Sequence, residues 1–300
     1  MKTFGLRIAR FVGLLAAASV LIFLLLRAVP GDPARIALGV TATEEAVAEL
    51  AQRLGTDRPL IEQYFSWVGG LLTGDFGVSM SSGQNMTDTI LERAGISLTL
   101  TLAAVVIALA TAVPLGIRLA RRPGPVLEVL TQLGIAVPSF LVGILAVALF
   151  SVKLGWLPAN GWGSLRHAIL PVAALALVQG AILTRYVRSA VVDEMGKDYV
   201  RTGRAQGASI SEVLYGNVLR NAALPVLTVT GLQLSTMIVG AVVIERVFAI
   251  PGLGSLLVDA VGNRDLTTVQ TVMMLLVAFT LLVNLAVDLL YAVIDPRVRR

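Results

Sequence analysis

The sequence contains no cysteine and only one histidine. Without cysteine, the chain can form no disulfide, zinc–thiolate site or thiol nucleophile. The histidine, His167, stands alone beside an apolar run, whereas catalytic and metal-binding histidines need partners at recognisable spacing. We therefore interpret His167 as a structural or interfacial residue and predict no metal site.

Charged residues are scarce in this chain. They make up 14% of it, and hydrophobic residues make up 56%, whereas soluble domains carry about 25% charged residues. The mean hydropathy of +0.82 is typical of a polytopic membrane protein surrounded by lipid. The net charge of +5 then reports on membrane topology. No basic patch with interleaved aromatic residues indicates nucleic-acid binding.

Nucleotide-binding and catalytic motifs are missing as well. Gly196-Lys197 is followed by Asp198 and lacks the upstream glycine of a P-loop. No zinc, nucleophile–base or dinucleotide-binding constellation occurs. The chain is therefore predicted not to be an enzyme by itself and to bind no cofactor. If it belongs to an ATP-driven machine, another subunit binds the nucleotide.

Six apolar runs are long enough, with their flanks, to cross a bilayer as helices. They cover about 11–26, 97–117, 126–152, 168–190, 222–244 and 269–293. Pro114, Pro138 and Pro171 fall inside three of these runs, where proline is tolerated only if the freed carbonyls find partners. The sequence therefore predicts an all-α protein with six transmembrane helices, bent at some of these prolines.

The distribution of basic residues orients these spans. An even number of spans places both termini on one side, and 15 of the 24 Lys and Arg residues fall in the segments on that side. Both termini are therefore predicted to be cytoplasmic. Between residues 32 and 95, nine acidic residues stand against four basic ones, as expected outside. The chain thus divides into 1–95, a first membrane helix with an external segment of short helices, and 96–300, a five-span core.

The polar loop at 198–221 lies between the fourth and fifth spans and is predicted to be cytoplasmic. Gly207 is a natural left-handed terminator for a first short helix, and Ser209 with Glu212 has the capping-box spacing that opens a second one. An apolar stripe at helical spacing follows on this second helix: Ile210, Val213, Leu214 and Val218. Such a loop suits the docking of another protein, and the alternative is an ordinary solvated connector.

Several motifs give the chain a family resemblance. YVRTGRAQG at 199–207 and LRNAALP at 219–225 look like the "EAA loop" of binding-protein-dependent ABC importer permeases, in the dipeptide/oligopeptide/nickel family. Further stretches match in family order: PGDP at 30–33, GDFGVS at 74–79, AIPGLG at 249–254, NRD at 263–265 and AVIDPRVR at 292–299. Gly203 departs from the alanine usual in the family, and Arg201 stands where the broader motif has glutamate.

The resemblance implies a type I ABC importer transmembrane domain in a bacterial or archaeal plasma membrane. It implies three kinds of partner: a second homologous permease forming a heterodimer, two cytoplasmic ABC ATPases and an external substrate-binding protein. The coupling loop, at 190–222, would insert its helix into a cleft of an ATPase. Residues that the resemblance assigns to ATPase coupling are Tyr199, Arg201, Ala205, Gly207, Asn221 and Pro225.

The cargo and the transport pathway are less determined by the sequence. Peptides dominate the family, and a nickel chelate is the alternative, because LPANGWG at 157–163 resembles nickel permeases equally. Polar residues inside the spans, which either line the pathway or join helices, are Gln179, Gln233, Ser235 and Asn284. Gly231 and Ser235 fit the small-xxx-small pattern of close helix contact.

The alternative from a different class is a secondary transporter driven by an ion gradient. Such a transporter would require paired carboxylates or broken helices at the midplane.

Overall fold

The computed structural model describes residues 2–28, 31, 33–39 and 42–294. Their regular structure is helical, and one isolated backbone bridge pairs Val78 with Asn85. Pro30 and Asp32 of the PGDP stretch lie outside the described residues, as do Asp295 and the chain beyond it.

The described residues form five long helices and several short ones. The first group consists of α1 (Lys2–Arg27), α2 (Pro33–Leu38), α3 (Glu44–Leu54), α4 (Leu60–Thr73) and α5 (Thr87–Arg121). The next consists of α6 (Pro125–Ala136), α7 (Ser139–Ala146, continued by a π-helical turn at Val147–Lys153) and α8 (Leu165–Met195). The last consists of α9 (Asp198–Ala205), α10 (Ile210–Val213, continued by a π-helical turn at Leu214–Val218), α11 (Leu219–Val247), α12 (Leu253–Gly262) and α13 (Leu266–Ile294).

The apolar helices confirm the predicted polytopic all-α architecture. In the described part of the chain, five helices are long and apolar enough to cross a membrane, and six if α6 and α7 form one broken span. These two helices meet at 102°. The bend lies at Pro138, since proline lacks an N–H group and forces Val137 into an extended conformation, with φ −91° and ψ 122°. Pro114 and Pro171, by contrast, lie inside α5 and α8.

The chain folds into two compact units. One unit comprises Met1–Ser97 and Pro251–Leu285, and the other comprises Leu98–Ile250 and Ala286–Arg300. The first unit has a small apolar core around four buried side chains. These are Ile90, Leu253, Leu256 and Val272. The core joins the start of α5 to α12 and α13, although about 160 residues of chain separate them.

A buried carboxylate also joins distant parts of the first unit. Asp265 is 3% exposed and caps α13, where it accepts hydrogen bonds from Thr268 N (3.2 Å) and Thr268 Oγ1 (2.8 Å). It also accepts hydrogen bonds from Ser79 Oγ, from Met80 N at 3.0 Å and from Ser81 Oγ at 3.3 Å. The GDFGVS and NRD stretches, far apart in sequence, therefore meet at one side chain.

The second unit is organised around α8. This helix packs against α6, α7 and α11, and more than half of its most apolar window is buried. Small residues allow the close approach. A Cβ atom at Gly116 would lie 2.9 Å from the backbone oxygen of Thr184, and one at Gly134 would lie 2.7 Å from the Cβ of Ala181. α8 is thus the central helix of this unit, and its cytoplasmic end carries the loop.

Replacing Gly231 with alanine is expected to destabilise the second unit by about 1–3 kcal/mol, the usual cost of overpacking. A Cβ atom at this position would lie 2.5 Å from Cγ2 of Val287 in α13, and a valine side chain has little rotamer freedom. Thermal unfolding of the purified chain in detergent measures the effect. The double variant Gly231→Ala/Val287→Ala should recover most of the loss. Gly240→Ala is the control, because its Cβ would lie 3.8 Å from Leu175.

Candidate functional site: the cytoplasmic loop

The loop after α8 is a helix–turn–helix whose turn is built by local hydrogen bonds. α9 ends in a left-handed turn with φ +94° at Gly207. There Gly207 N donates to Arg204 O at 3.0 Å, and Ala208 N donates to Gly203 O at 3.1 Å. This pair of bonds is the Schellman arrangement that ends a helix. Aspartate is a common N-cap residue, but Asp198 is the first residue of α9, and Lys197 precedes it as the N-cap residue without a side-chain cap hydrogen bond.

The second helix of the loop begins with the predicted capping box. Glu212 N donates to Ser209 Oγ at 3.2 Å, and Ser209 N donates to Glu212 Oε2 at 2.6 Å. From there the chain stays helical through α10, the π-helical turn and α11, so that Ile210–Val247 is a single helical run. The hydropathy pattern predicted that the fifth span begins near residue 222, whereas in the structure this span continues directly from the loop helix.

The loop rests on an apolar core of the second unit. Val200 of α9 and three of the four predicted stripe residues, Val213, Leu214 and Val218, are buried there. Val187, Ala190 and Val191 contribute from α8. Ile210, the fourth stripe residue, is 44% exposed. Since both loop helices share a core with the end of α8, the loop is a packed part of this unit and not a solvated connector.

A buried glutamate that sequence reasoning missed holds the loop to α8. Glu194, near the end of α8, is 9% exposed. It accepts a hydrogen bond from Tyr199 Oη at 2.8 Å and forms an ion pair with Lys197. The Asn221 side chain lies beside both Glu194 and Tyr199. We call this group, Glu194, Lys197, Tyr199 and Asn221, the Glu194 brace.

The Tyr199 hydroxyl and the Lys197 ammonium, the hydrogen-bond donors to Glu194, are both protonated at neutral pH. Burial raises the pKa of the Tyr199 hydroxyl above its ordinary value, and the hydrogen bond to Glu194 also raises it, against an opposing effect of Asn221. The hydrogen bond to Glu194 raises the pKa of the Lys197 ammonium. A raised pKa favours the protonated form, so at neutral pH Tyr199 donates and Lys197 is charged.

The six residues predicted for coupling fall into two groups. Tyr199 and Asn221 belong to the Glu194 brace. No pattern in the sequence predicted that these two residues lie side by side. Arg201, Ala205 and Gly207 are exposed along α9 and its turn, and Arg201 Nη1 lies 3.7 Å from Asp198 Oδ1. Pro225 is exposed and lies inside α11. The brace thus positions α9, and α9 presents the exposed residues.

Two of the four polar residues predicted inside the spans make local contacts within α11. Ser235 Oγ donates to Gly231 O at 3.3 Å, one turn back in the same helix. Gln233 Oε1 accepts from Thr236 Oγ1 at 3.0 Å, and Asn284 is exposed. Gln179 Oε1 is buried in the described structure without a hydrogen-bond partner. An unsatisfied buried oxygen of this kind is costly within one chain.

Replacing Glu194 with glutamine is expected to lower the stability of the loop by about 1–3 kcal/mol, because a charged acceptor of hydrogen bonds is lost from a buried site. The ion pair itself contributes little, since the Lys197 side chain is 55% exposed. Faster hydrogen exchange in α9, with unchanged exchange in α12, is the expected result. Asp193→Asn is the control, because this neighbouring acid is exposed. Equal exchange in both variants would contradict the role of the brace.

Solved structures with a similar fold come from ABC transporters. A chain of the MetNI methionine ABC transporter, in inward-facing conformations, has the same fold with a TM-score of 0.61 at 18% identity. The match covers 70% of this chain and 98% of that one. A structure of an amino acid ABC transporter with histidines matches with a TM-score of 0.55 at 15% identity, over 68% and 93% of the two chains.

Sequence comparison gives the family. The model for binding-protein-dependent transport system inner membrane components matches residues 108–300, and the model for the N-terminal part of such components matches residues 3–103. The chain belongs to this family. It is therefore an inner-membrane permease of an ABC importer, as the resemblance of its motifs predicted.

Individual relatives match over nearly the full length. The chain is 40% identical over 299 residues to the glutathione transport system permease protein GsiC of Escherichia coli strain K12, covering 97% of this chain and 98% of the relative. It is 36% identical over 305 residues to the "Probable peptide ABC transporter permease protein y4tP" of Sinorhizobium fredii, covering 98% and 97%.

Proposed function

We propose that the cytoplasmic loop of this permease couples an ATPase partner to the membrane helices. The observation that carries the proposal is that each of the two loop helices is attached to a membrane helix. Glu194 ties α9 to the end of α8, and the second loop helix runs into α11 without a break. If the partner displaced α9, α8 and α11 would therefore move with it, because packed helices shift as rigid bodies.

The exposed surface of α9 supports docking at this point. The Arg201 side chain is 78% exposed, and a Cβ atom at Gly207 would meet nothing within 4 Å. The turn is open, whereas the opposite side of α9 is buried through Val200. A cleft on a partner could therefore enclose α9 and its turn without disturbing the apolar core. The chain itself performs no catalysis in this proposal, and ATP is hydrolysed by the partner.

Di- or oligopeptides are the proposed cargo. The support is the naming of two full-length relatives, one for peptide transport and one for glutathione, which is itself a short peptide. A nickel chelate is the alternative cargo. In this assembly the chain pairs with a second homologous permease, two ATPases dock on the two loops, and an external binding protein delivers the substrate.

The proposed assembly also gives roles to the two parts of the chain. Residues 1–95 provide the first membrane helix and the external segment, and residues 96–300 provide the five-span core with the coupling loop at 190–222. ATP-driven closure of the ATPases would rock this core between inward and outward access.

The first test is purification of the assembly from detergent-solubilised membranes, followed by uptake in proteoliposomes. A second permease and a P-loop ATPase should accompany the chain, and uptake should need both ATP and the binding protein. Titrating that binding protein with dipeptides, longer peptides and a nickel chelate identifies the cargo. Uptake by the chain alone, without ATP and driven by an ion gradient, would instead establish a secondary transporter.

A further inference from the structure

A cavity in the first unit brings three arginines together. Its volume is about 220 Å³, and Arg27 at the end of α1, Arg53 in α3 and Arg58 after it contribute to its lining. This grouping is unexpected, because the segment from 32 to 95 holds only four basic residues against nine acidic ones. Two of those four line this single cavity.

The charge of the cavity is not neutralised within the described structure. None of the three arginines forms a salt bridge there, although Arg27 lies 5.3 Å from the ring centroid of Phe23. One acid, Asp75, also lines the cavity, but it is exposed and accepts a hydrogen bond from Gly77 N at 3.1 Å. The lining therefore carries a net positive charge, which favours an anion.

Two buried polar atoms of lining residues lack hydrogen-bond partners in the described structure. They are Nε of Arg27, a donor, and Oε1 of Gln63, an acceptor. The orientation of the Gln63 amide is fixed, because its nitrogen donates to Thr56 O at 3.1 Å and to Arg58 O at 2.7 Å. A ligand that satisfies both atoms carries an acceptor for the guanidinium, to which an anion binds most strongly, together with a hydroxyl or similar donor for the amide oxygen.

The surroundings of the cavity are typical of a membrane interface. Leu21, Leu24 and Leu25 on α1 are more than half exposed just before Arg27, as expected of a lipid-facing surface. Phe23 stacks at 6.3 Å on Trp67 and contacts Tyr64 edge-on at 5.4 Å. Such aromatic clusters mark the level of the lipid headgroups. The predicted topology places this end of α1 on the outside.

We propose that this cavity binds the phosphate group of an anionic phospholipid such as phosphatidylglycerol. The arginines hold the phosphate, because guanidinium groups match phosphate geometry with paired hydrogen bonds. The glycerol hydroxyls of the headgroup supply the donor that Gln63 lacks. The volume suits a headgroup rather than a whole peptide, since pockets for larger ligands measure about 300–1,000 Å³. The site is independent of the cytoplasmic loop and of the cargo.

Native mass spectrometry of the purified full chain, with added phosphatidylglycerol, tests the proposal. The double variant Arg53→Gln/Arg58→Gln should weaken phosphatidylglycerol binding by about tenfold or more, on the scale of one lost charge-assisted hydrogen bond. Arg27→Gln, a separate variant in α1, should weaken it as well. Arg93→Gln is the control, because it removes an arginine from the same external segment without altering the cavity lining. Phosphatidylethanolamine, inorganic phosphate and trialanine are the comparison ligands.

The outcomes separate the possible anions. Tighter binding of phosphatidylglycerol than of phosphatidylethanolamine, lost in the double variant and kept in the control, supports the proposal. Equal phosphatidylglycerol binding by the double variant and the unmodified chain would overturn it. Binding of inorganic phosphate or of trialanine that depends on Arg53 and Arg58, without phosphatidylglycerol binding, would also overturn it and assign the cavity to a soluble anion.

Discussion

Replacing Gly207 with tryptophan is expected to reduce the amount of ATPase partner that co-purifies with the chain by about tenfold or more. A loss of this size corresponds to the removal of one interface hot spot. The indole would project from the open turn after α9, where a Cβ atom meets nothing within 4 Å. It would therefore leave the core of the second unit intact and fill the space that a docking cleft needs. Co-purification of the ATPase from detergent-solubilised membranes measures the effect.

Two further variants separate docking from backbone strain. Gly207 has φ +94°, a conformation that costs other residues about 1–2 kcal/mol. Gly207→Ala introduces this strain without the indole and should retain most of the ATPase. Gly74→Trp is the matched control, because Gly74 also has a positive φ, +81°, and open space around it, but lies in the predicted external segment. If Gly74→Trp released the ATPase equally, the effect would reflect misfolding and not docking.

Replacing Asp265 with alanine is expected to destabilise the first unit by about 3–5 kcal/mol, because each of several buried donors that loses its acceptor costs about 1–3 kcal/mol. The substitution leaves donors of Ser79, Met80 and Thr268 without their acceptor. Such a loss is large compared with a total stability of about 5–15 kcal/mol. Hydrogen exchange at the Met80 and Thr268 amides should accelerate strongly, and the yield of folded protein should fall.

Asp265→Asn should give a smaller effect than Asp265→Ala. Asparagine keeps one carbonyl oxygen as an acceptor, and a serine hydroxyl can turn to accept from its amide nitrogen. Asp75→Ala is the control, because Asp75 is exposed and accepts a single hydrogen bond, from Gly77. Unchanged exchange at Met80 in Asp265→Ala would show that the network does not hold the two segments together.

Local features could be predicted from sequence because the interactions that create them span only a few residues. Gly207 ends α9 through bonds to positions three and five residues apart, and Ser209 and Glu212 form their capping box within a single turn. The length and apolarity of the spans likewise follow from the thickness of the bilayer. The helix–turn–helix that carries the proposed docking surface could be predicted for this reason, although its support by Glu194 could not.

Glu194 was missed because its role depends on where α11 lies. The sequence shows an acidic residue, Glu194, near the end of an apolar helix and three residues before Lys197. That spacing is equally typical of a solvated ion pair. Only the packing of Asn221 beside Tyr199 makes it a brace. Gly231 was easier to interpret, since a small residue in an apolar helix indicates close packing whatever the partner, and Val287 is that partner.

The sequence by itself determined the membrane class, the helical spans and the helix–turn–helix of the loop, because hydropathy, proline and glycine sterics and capping act locally. Only the tertiary structure decided which distant residues meet. Asp265 and Ser79 are 186 positions apart, and the 102° angle at Pro138 depends on how α6 and α7 both pack on α8. Such contacts depend on chain closure and side-chain packing, which no local pattern encodes.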